Sequence, residues 1–272
     1  MSTPDPGPQG DATALLAPRD DARIRLLQLT DCHILAGAED RLKGMNTRES
    51  FDTVCARALA DHPGLDLVLA TGDLSQDASP SAYDFLAQRF DTLGLPVFWL
   101  PGNHDDPALM GARLQGGRIS AAKCLLIGNW IIVLLDSTVA GETGGCLADA
   151  ELDFLDASLT AHPARHALIC LHHQPLPVGS EWMDRLGLAQ SRRFIERVSA
   201  QPNLRGVLWG HVHQEVQRHI DGVDWMATPS TCVQFKPGSR EFALDDLAPG
   251  YRRIDLLPDG RIESRVERVD FS

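Results

Sequence analysis

Several features that would place a chain in a common class are missing from this sequence. No apolar run is long enough to span a membrane as a helix. The six cysteines are scattered and none forms a Cys-x-x-Cys pair, so we expect reduced thiols in a cytoplasmic protein. Motifs of three other chemistries are also absent, namely the Gly-x-x-x-x-Gly-Lys phosphate loop, the Gly-x-Ser-x-Gly elbow and the His-Glu-x-x-His zinc motif.

Basic residues are scarce relative to acidic ones. The chain carries 25 Lys and Arg against 37 Asp and Glu, which gives a formal net charge of -12. This balance argues against a nucleic-acid polymer as partner, because proteins that bind one carry basic patches. It does not argue against a small anionic substrate, since bound divalent cations reverse the field locally.

Length and composition favour one large domain. The 272 residues can bury a sizeable core, and the hydrophobic content of 43% is ordinary for a globular protein. Residues 1–22 contain Pro, Gly and Asp and lack the basic-then-apolar order of a secretory signal. We therefore expect a mobile tail over residues 1–22 and a single domain over residues 23–272, with an oligomer possible.

Short apolar runs alternate with stretches of helical periodicity from residue 24 onward. Residues 67–70 and Val97–Leu100 are each typical of a strand buried on both faces of a sheet. Residues 47–60 have helical spacing with Thr47 as the expected N-cap, and Ser79-Pro80 marks the start of a second helix. This order predicts an α/β fold whose ligands gather at one edge of the sheet.

Five of the predicted strand ends carry side chains that bind metals. In chain order they are Asp31-Cys32-His33, Gly72-Asp73, Gly102-Asn103-His104-Asp105, His172-His173 and Gly210-His211-Val212-His213. Each motif alone is weak, because loops are generally polar and Asn suits a turn. Five such ends in one chain predict a site for two metal ions. Since residues two apart on extended backbone share a side, Asp31 and His33 should grip one ion while Cys32 points away.

Asp73 is the expected centre of this site. The strand before it would place it at the carboxyl edge of the sheet, and its two carboxylate oxygens allow contact with two ions at once. Imidazole, carboxylate and amide ligands suit first-row ions such as Fe, Mn or Zn, and a site without thiolates is unlike structural zinc. The sequence therefore predicts a dinuclear centre arranged around one shared aspartate.

With these motifs the sequence resembles the calcineurin-like metallophosphoesterases over most of the chain from residue 24 onward. It is most similar to their bacterial class III 3′,5′-cyclic AMP phosphodiesterase branch. The strings that carry the resemblance are Leu69-Ala70-Thr71-Gly72-Asp73-Leu74-Ser75-Gln76-Asp77, Leu100-Pro101-Gly102-Asn103-His104-Asp105, Leu171-His172-His173-Gln174-Pro175-Leu176-Pro177, Trp209-Gly210-His211-Val212-His213-Gln214-Glu215, Pro229-Ser230-Thr231-Cys232-Val233-Gln234-Phe235 and Ala248-Pro249-Gly250-Tyr251. The third and fifth strings are those that point to this branch.

The resemblance implies a four-layer α/β/β/α sandwich, two metal ions and hydrolysis of 3′,5′-cyclic AMP to the 5′-monophosphate. Attack would be in line, by a hydroxide that bridges the ions. Carried over by motif, one ion would be held by Asp31, His33, Asp73 and His213, and the other by Asp73, Asn103, His172 and His211. Substrate contacts would fall on His33, Asp73, Asn103, His104 and His213.

Two histidines beside the implied ligands receive other roles. His104 is not needed as a ligand, so we assign it to contact the phosphate or to protonate the departing ribose oxygen. Asp105 could orient that imidazole. Alternation along the chain sends His173 to the opposite face from His172, so His173 is expected to support the site rather than to bind an ion.

Several alternatives stay open. The same ligands could cleave glycerophosphodiesters, 2′,3′-cyclic nucleotides or phosphomonoesters, because they touch only the phosphate. A non-catalytic binding module on this scaffold would be expected to lack ligands, and none is missing.

Residues 229–235 either border the substrate pocket or form only a sheet edge. Lys43, Asn46 and Arg48 either reach the nucleotide or belong to a solvated loop. The loop over residues 175–187 either covers the pocket or packs on another chain.

Overall fold

The computed structural model describes residues 13–18 and 21–270. Its strands are β1 (Thr13–Leu16), β2 (Ile24–Leu29), β3 (Arg41–Leu42), β4 (Met45–Asn46), β5 (Leu67–Thr71), β6 (Val97–Leu100), β7 (Ile119–Ser120), β8 (Cys124–Ile127), β9 (Trp130–Leu134), β10 (Gly145–Cys146), β11 (His166–Cys170), β12 (Leu188–Ala189), β13 (Leu204–Trp209), β14 (Val216–Ile220), β15 (Val223–Ala227), β16 (Gln234–Phe235), β17 (Leu244–Asp245), β18 (Gly250–Leu256) and β19 (Ile262–Arg268). Its helices are α1 (Thr47–Asp61), α2 (Pro80–Thr92), α3 (Pro107–Arg113), α4 (Asp149–Ala161), α5 (Glu181–Asp184) and α6 (Ser191–Ser199). None of the helices in these ranges is both long and apolar enough to cross a membrane.

Two large sheets form the frame. The six-stranded sheet has the order β19-β18-β2-β5-β6-β7, and its strands β2, β5 and β6 are parallel and joined through α1 and α2. The seven-stranded sheet has the order β1-β8-β9-β11-β13-β15-β14, and its strands β9, β11, β13 and β15 are parallel. Because parallel strands of one sheet end at the same edge, each sheet gathers its strand ends in one place.

Three apolar layers hold these sheets and helices together. Alternation along β2 shows the arrangement, since Leu26 lies in the layer between the two sheets while Leu27 lies in the layer under α1 and α2. A third layer joins the outer face of the seven-stranded sheet to α4 and α6, with Leu155 and Phe194 among its members. Helices therefore cover both outer faces, and the four-layer α/β/β/α sandwich is confirmed.

Two local predictions need correction. Asn46, not Thr47, caps α1, because the Asn46 side chain accepts hydrogen bonds from the backbone N–H of Arg48 and Glu49 at 3.0 and 3.2 Å. Within the predicted tail, β1 pairs in parallel with β8 and packs Ala14 and Leu16 against the inter-sheet layer. Residues 1–12 and 19–20 of that predicted tail lie outside the described residues.

Candidate metal centre

The five predicted strand ends meet where the carboxyl edges of the two sheets come together. The six-stranded sheet supplies Asp31 and His33 after β2, Asp73 after β5, and Asn103 and His104 after β6. The seven-stranded sheet supplies His172 after β11, and His211 and His213 after β13. Ligand-capable atoms of the aspartates and histidines among them, together with His173, form overlapping groups whose members lie within 4.8 Å of one another. The aspartates and the four ligand-type histidines are buried, while Asn103 and His104 are partly exposed.

Left-handed backbone aims these side chains at one another. The φ angles are positive at Asp31 (53°), His33 (47°), Asp73 (49°), His211 (66°) and His213 (48°). Residues other than glycine rarely adopt this conformation, and it persists where the surrounding structure enforces it. The expectation that extended backbone would pair Asp31 with His33 is therefore wrong in its mechanism, although the two side chains do converge. Cys32 does point away, into the apolar layer under the helices.

One half of the centre lies around His33 and His213. Their Nε2 atoms are 3.0 Å apart. The His213 Nε2 atom lies 3.4 Å from Asp31 Oδ1, and His33 Nε2 lies 3.7 Å from Asp73 Oδ2. Two nitrogen ligands each about 2.1 Å from one first-row ion are separated by about 3.0–3.4 Å at tetrahedral or octahedral angles. These four residues therefore fit a shared ion.

The other half lies around His172, His211 and Asn103. Within the described ranges, His172 Nε2, His211 Nε2 and Asn103 Oδ1 are buried and have no hydrogen-bond partner. His172 Nε2 lies 3.3 Å from Asp73 Oδ2. Unpaired buried polar atoms are costly and rare, so three of them in one cluster need a common explanation. A second ion fits it, because imidazole nitrogen and amide oxygen are both suitable ligands.

Asp73 connects the two halves through one oxygen. Its Oδ2 atom faces His33 on one side and His172 on the other. Its Oδ1 atom accepts a hydrogen bond from the backbone N–H of His104 at 2.9 Å. Of the two oxygens, Oδ2 is thus the one that faces both halves of the centre, whereas the sequence argument relied on both oxygens.

The electrostatics of the cluster favour a cation. Burial lowers the pKa of His33 to about 3 and holds that of His211 well below its usual value, so both imidazoles are neutral with a free lone pair. Burial opposes ionisation of Asp31 and Asp73, yet the neighbouring imidazoles lower the pKa of both carboxyls. For His172 burial is outweighed by the Asp73 carboxylate, which raises its pKa to about 9. A proton on His172 Nε2 thus lies beside the Asp73 carboxylate, at a position where a metal ion could bind instead.

Hydrogen bonds to backbone carbonyls orient two of the imidazoles. His172 Nδ1 lies 2.9 Å from the carbonyl oxygen of Thr71, and His213 Nδ1 lies 2.7 Å from that of Val233. An N–H at Nδ1 that donates to a carbonyl leaves Nε2 as the metal-binding atom, which is the usual arrangement for a ligating histidine.

Gln76 holds His104, and this residue was missed in the sequence. The His104 Nδ1 atom lies 3.1 Å from the Gln76 carbonyl oxygen, and the ring centroid lies 5.0 Å from that of His33. The expectation that Asp105 orients His104 is wrong. The Asp105 carboxylate instead accepts hydrogen bonds from Leu74 N, Ser75 N, Gly102 N and the Tyr83 hydroxyl, which fixes the loops on either side of the site.

His173 is engaged through both ring nitrogens. Nδ1 lies 2.8 Å from Ser137 Oγ, and Nε2 lies 3.1 Å from the carbonyl oxygen of Thr143. Its ring packs 4.7 Å from that of His211, measured between centroids, so strand alternation does not carry it to the opposite face. With both nitrogens occupied, His173 fits the supporting role expected for it.

Aromatic side chains form one wall beside the candidate centre. Phe235 stacks on His213 with ring centroids 4.0 Å apart and an interplanar angle of 10°. Trp182 and Phe242 then pack on Phe235 at centroid distances of 5.2 and 5.4 Å. Residues 229–235 therefore contact the candidate centre through Phe235, as expected if they border the substrate pocket. Trp182, which belongs to the loop over residues 175–187, contributes to the same wall.

The three polar residues whose role stayed open differ in their contacts. Asn46 caps α1, and the Arg48 guanidinium donates to the carbonyl oxygens of Leu35 and Ala36, so both hold the local backbone. Lys43 Nζ lies 5.3 Å from the ring centroid of Phe242, at the outer end of the aromatic wall. Of the three, Lys43 alone is placed beside that wall by a contact of its side chain.

Gly102 packs closely against Asp73, so adding a methyl group at this position should destabilise the protein and disturb the candidate centre. A Cβ atom at Gly102 would lie 2.2 Å from both the backbone nitrogen and Oδ1 of Asp73. We expect Gly102→Ala to lower the free energy of unfolding by about 1–3 kcal/mol and to weaken metal binding, because Asp73 must shift. Chemical denaturation and elemental analysis measure the two effects.

Gly111→Ala is the matched control for that substitution. Gly111 lies in α3, and a Cβ atom there would meet nothing within 4 Å. Alanine is favoured over glycine in a helix, so this variant should be stabilised by about 0.5–1 kcal/mol with unchanged metal content. A Gly102→Ala protein that binds metal as tightly as the wild type would contradict the tight approach of Gly102 to Asp73.

Known proteins share this sequence pattern. The profile of a family described as calcineurin-like phosphoesterase matches residues 24–215. The chain is 42% identical over 253 residues to the 3′,5′-cyclic adenosine monophosphate phosphodiesterase CpdA of Pseudomonas aeruginosa, with 93% of each chain covered. It is 41% identical over 249 residues to the 3′,5′-cyclic-nucleotide phosphodiesterase alr5338 of Nostoc, which covers 92% of this chain and 94% of that protein.

Solved structures share the architecture. A dimetal phosphatase from Danio rerio superposes with a TM-score of 0.62 and covers 91% of this chain and 99% of its own. At 16% sequence identity, this similarity concerns the fold alone.

Proposed function

Because this chain belongs to the calcineurin-like phosphoesterase family, we propose that it is a metal-dependent phosphodiesterase that hydrolyses 3′,5′-cyclic AMP to the 5′-monophosphate. The observation that carries the proposal is the cluster at the sheet edges, in which ligand atoms from both sheets face Asp73 Oδ2. The relatives named as cyclic-nucleotide phosphodiesterases match nearly the whole chain, which supports the choice of substrate.

The ligands divide into two sets in this proposal. One ion is assigned to Asp31, His33, Asp73 and His213, and the other to Asp73, Asn103, His172 and His211. The donor atoms suit Fe, Mn or Zn. Bound ions of this kind neutralise phosphate oxygens and supply a nucleophile at neutral pH. The cytoplasmic location expected from the sequence and the possible oligomer stay predictions.

Backbone carbonyls and aromatic side chains around the proposed ligands complete the site. Thr71 and Val233 hold the imidazoles of His172 and His213 in fixed orientations through their carbonyl oxygens. The aromatic wall gives a flat apolar surface beside His213, which suits a purine base. Phosphate and nucleoside can therefore be held by different parts of one site.

His104 is proposed as the proton donor to the leaving ribose oxygen. With a proton on Nδ1, the ring donates to the Gln76 carbonyl oxygen, and this bond orients it. Nε2–H is then free to donate. His104 is partly exposed and its ring lies beside that of His33, so the acid stands at the open side of the cluster.

The direct test is a hydrolysis assay on protein of known metal content. The protein is stripped with a chelator and reloaded separately with Mn²⁺, Fe²⁺ or Zn²⁺. It is then assayed on 3′,5′-cyclic AMP, 2′,3′-cyclic AMP, glycerophosphocholine and 4-nitrophenyl phosphate. We expect metal-dependent release of 5′-AMP, with kcat/KM highest for 3′,5′-cyclic AMP. A higher kcat/KM for one of the other substrates would replace this substrate assignment, and full activity of the stripped protein would refute the metal requirement.

A further inference from the structure

A chain of polar side chains crosses the otherwise apolar layer between the two sheets, directly behind the candidate centre. It consists of Gln28 on β2, Thr71 at the end of β5, Thr228 just after β15 and Arg252 on β18, and we call it the inter-sheet bridge. All four residues have no exposed surface. Polar groups in such a place are costly unless every one is hydrogen-bonded, so their arrangement calls for an explanation.

Arg252 anchors the inter-sheet bridge. A guanidinium has five N–H donors, and Arg252 has five acceptors around it. They are Thr228 Oγ1 at 3.1 Å, Gln217 Oε1 at 3.1 Å, Ser264 Oγ at 2.9 Å, Val216 O at 3.2 Å and Ala227 O at 2.8 Å. The bond to Ser264 stays within the six-stranded sheet, on β19, and the other four run from β18 to β14, to β15 and to the residue after β15 in the other sheet. Burial lowers the pKa of Arg252 to about 10, so it stays charged at neutral pH.

Gln28 carries the connection to the ends of the ligand-bearing strands. Its Oε1 atom accepts a hydrogen bond from Thr228 Oγ1. Its Nε2 atom donates to Thr71 Oγ1 at 2.8 Å and to the carbonyl oxygen of Trp209 at 3.2 Å. Thr71 belongs to the six-stranded sheet and Trp209 to the seven-stranded sheet. The side-chain amide of Gln28 thus connects the two sheets. Its two partners, Thr71 and Trp209, lie two positions before Asp73 and His211 in the sequence.

The contacts that matter for metal binding span the same two sheets. Asp73 and Asp31 come from the six-stranded sheet, and His172 and His213 from the other. The distances of 3.3 Å between Asp73 Oδ2 and His172 Nε2, and of 3.4 Å between Asp31 Oδ1 and His213 Nε2, therefore depend on how the sheets are placed. His172 also donates from Nδ1 to the Thr71 carbonyl oxygen, which ties it to the inter-sheet bridge.

We infer that the inter-sheet bridge positions the two halves of the metal centre, with Gln28, Thr228 and Arg252 as positioning residues. Apolar packing between sheets is not directional and tolerates small shifts. Directional hydrogen bonds across the layer fix the spacing and register of the strand ends. The inference rests on the two-metal part of the proposed function and not on its substrate.

The test uses two substitutions that remove the bridge and two that keep it. Gln28→Leu deletes the amide with little change in size, and Thr228→Val deletes the hydroxyl while keeping the shape of threonine. Thr228→Ser restores the hydroxyl. Leu26→Met is the matched control, because Leu26 lies two residues before Gln28 in the same inter-sheet layer and forms no side-chain hydrogen bond.

Metal affinity and the electronic coupling between two bound Mn²⁺ ions are the readouts, with thermal unfolding of the metal-free protein measured beside them. We expect Gln28→Leu and Thr228→Val to lose about 10–100-fold in Mn²⁺ affinity and to change the exchange coupling seen by electron paramagnetic resonance. Thr228→Ser and Leu26→Met should change neither.

Wild-type affinity and coupling in folded Thr228→Val would overturn the inference, because a purely structural bridge would change only the unfolding temperature. If Gln28→Leu does not fold, the Thr228 pair decides the question. Wild-type protein that binds two ions but leaves cyclic AMP intact would refute the substrate proposal and leave this test in force.

Discussion

Replacing Asp73 by asparagine is expected to reduce kcat/KM for 3′,5′-cyclic AMP by at least about 10³-fold, since metal ions contribute several kcal/mol to such a transition state. Asp73 Oδ2 faces His33 and His172, so both proposed ligand sets lose their shared negative charge. Asparagine can still accept the hydrogen bond from His104 N, so the fold around the site should be kept. Elemental analysis should then find fewer than two ions per chain.

Asp106→Asn is the control for this substitution. Asp106 caps α3 by accepting hydrogen bonds from the backbone N–H of Ala108 and Leu109. Asparagine is an equally good N-cap, so metal content and activity should match the wild type. An Asp73→Asn protein that keeps two ions and most of its activity would show that Asp73 is not the shared ligand.

The ligand types at the five strand ends can be read from the sequence because each follows a short apolar run. Strands such as β5 and β6 are buried on both faces, and their residues form continuous apolar runs that stop where ligands begin. The α/β order of the elements then brings these ends to common edges. The fold and the membership of the cluster could therefore be predicted without coordinates.

The backbone conformation at the cluster could not be predicted in the same way. Positive φ angles at Asp31, His33, Asp73, His211 and His213 depend on tertiary contacts, such as the hydrogen bond from His211 N to the Asp31 carboxylate at 3.0 Å. Local sequence carries only a weak signal for them, because Asp and His are enriched among non-glycine residues with positive φ but adopt that conformation in a small minority of cases. Asp31 and His33 do converge, as the sequence argument expected, but through left-handed backbone and not through the alternation of an extended strand.

Interactions between distant residues set the other limit. Gln76 and His104 are 28 positions apart, and Arg252 and Thr228 are 24 apart. The hydrophobic pattern gives no sign that Arg252, which lies on β18, is buried among neutral acceptors. The supporting residues of the site can therefore be identified only from the folded structure, whereas the proposed ligands can be identified from the sequence.

His104→Ala should separate proton donation from metal binding. Both ions should remain, because His104 belongs to neither proposed ligand set, while kcat on 3′,5′-cyclic AMP should fall by about 10²–10⁴-fold. The loss should be much smaller on bis(4-nitrophenyl) phosphate. Its leaving group, 4-nitrophenolate, is a stable anion that departs without a proton, whereas the ribose oxygen of cyclic AMP needs one.

Comparison of the two substrates decides what His104 does. An equal loss on both would indicate that His104 contacts the phosphate rather than the leaving group, and no loss on either would remove it from the mechanism. His219→Ala is the control, because His219 is exposed on β14 and pairs with Asp224 at 2.8 Å, away from the cluster. Normal activity of His219→Ala would show that loss of an imidazole away from the cluster has no effect. The loss in His104→Ala would then come from the position of its ring beside Asn103, where the Gln76 carbonyl oxygen orients it.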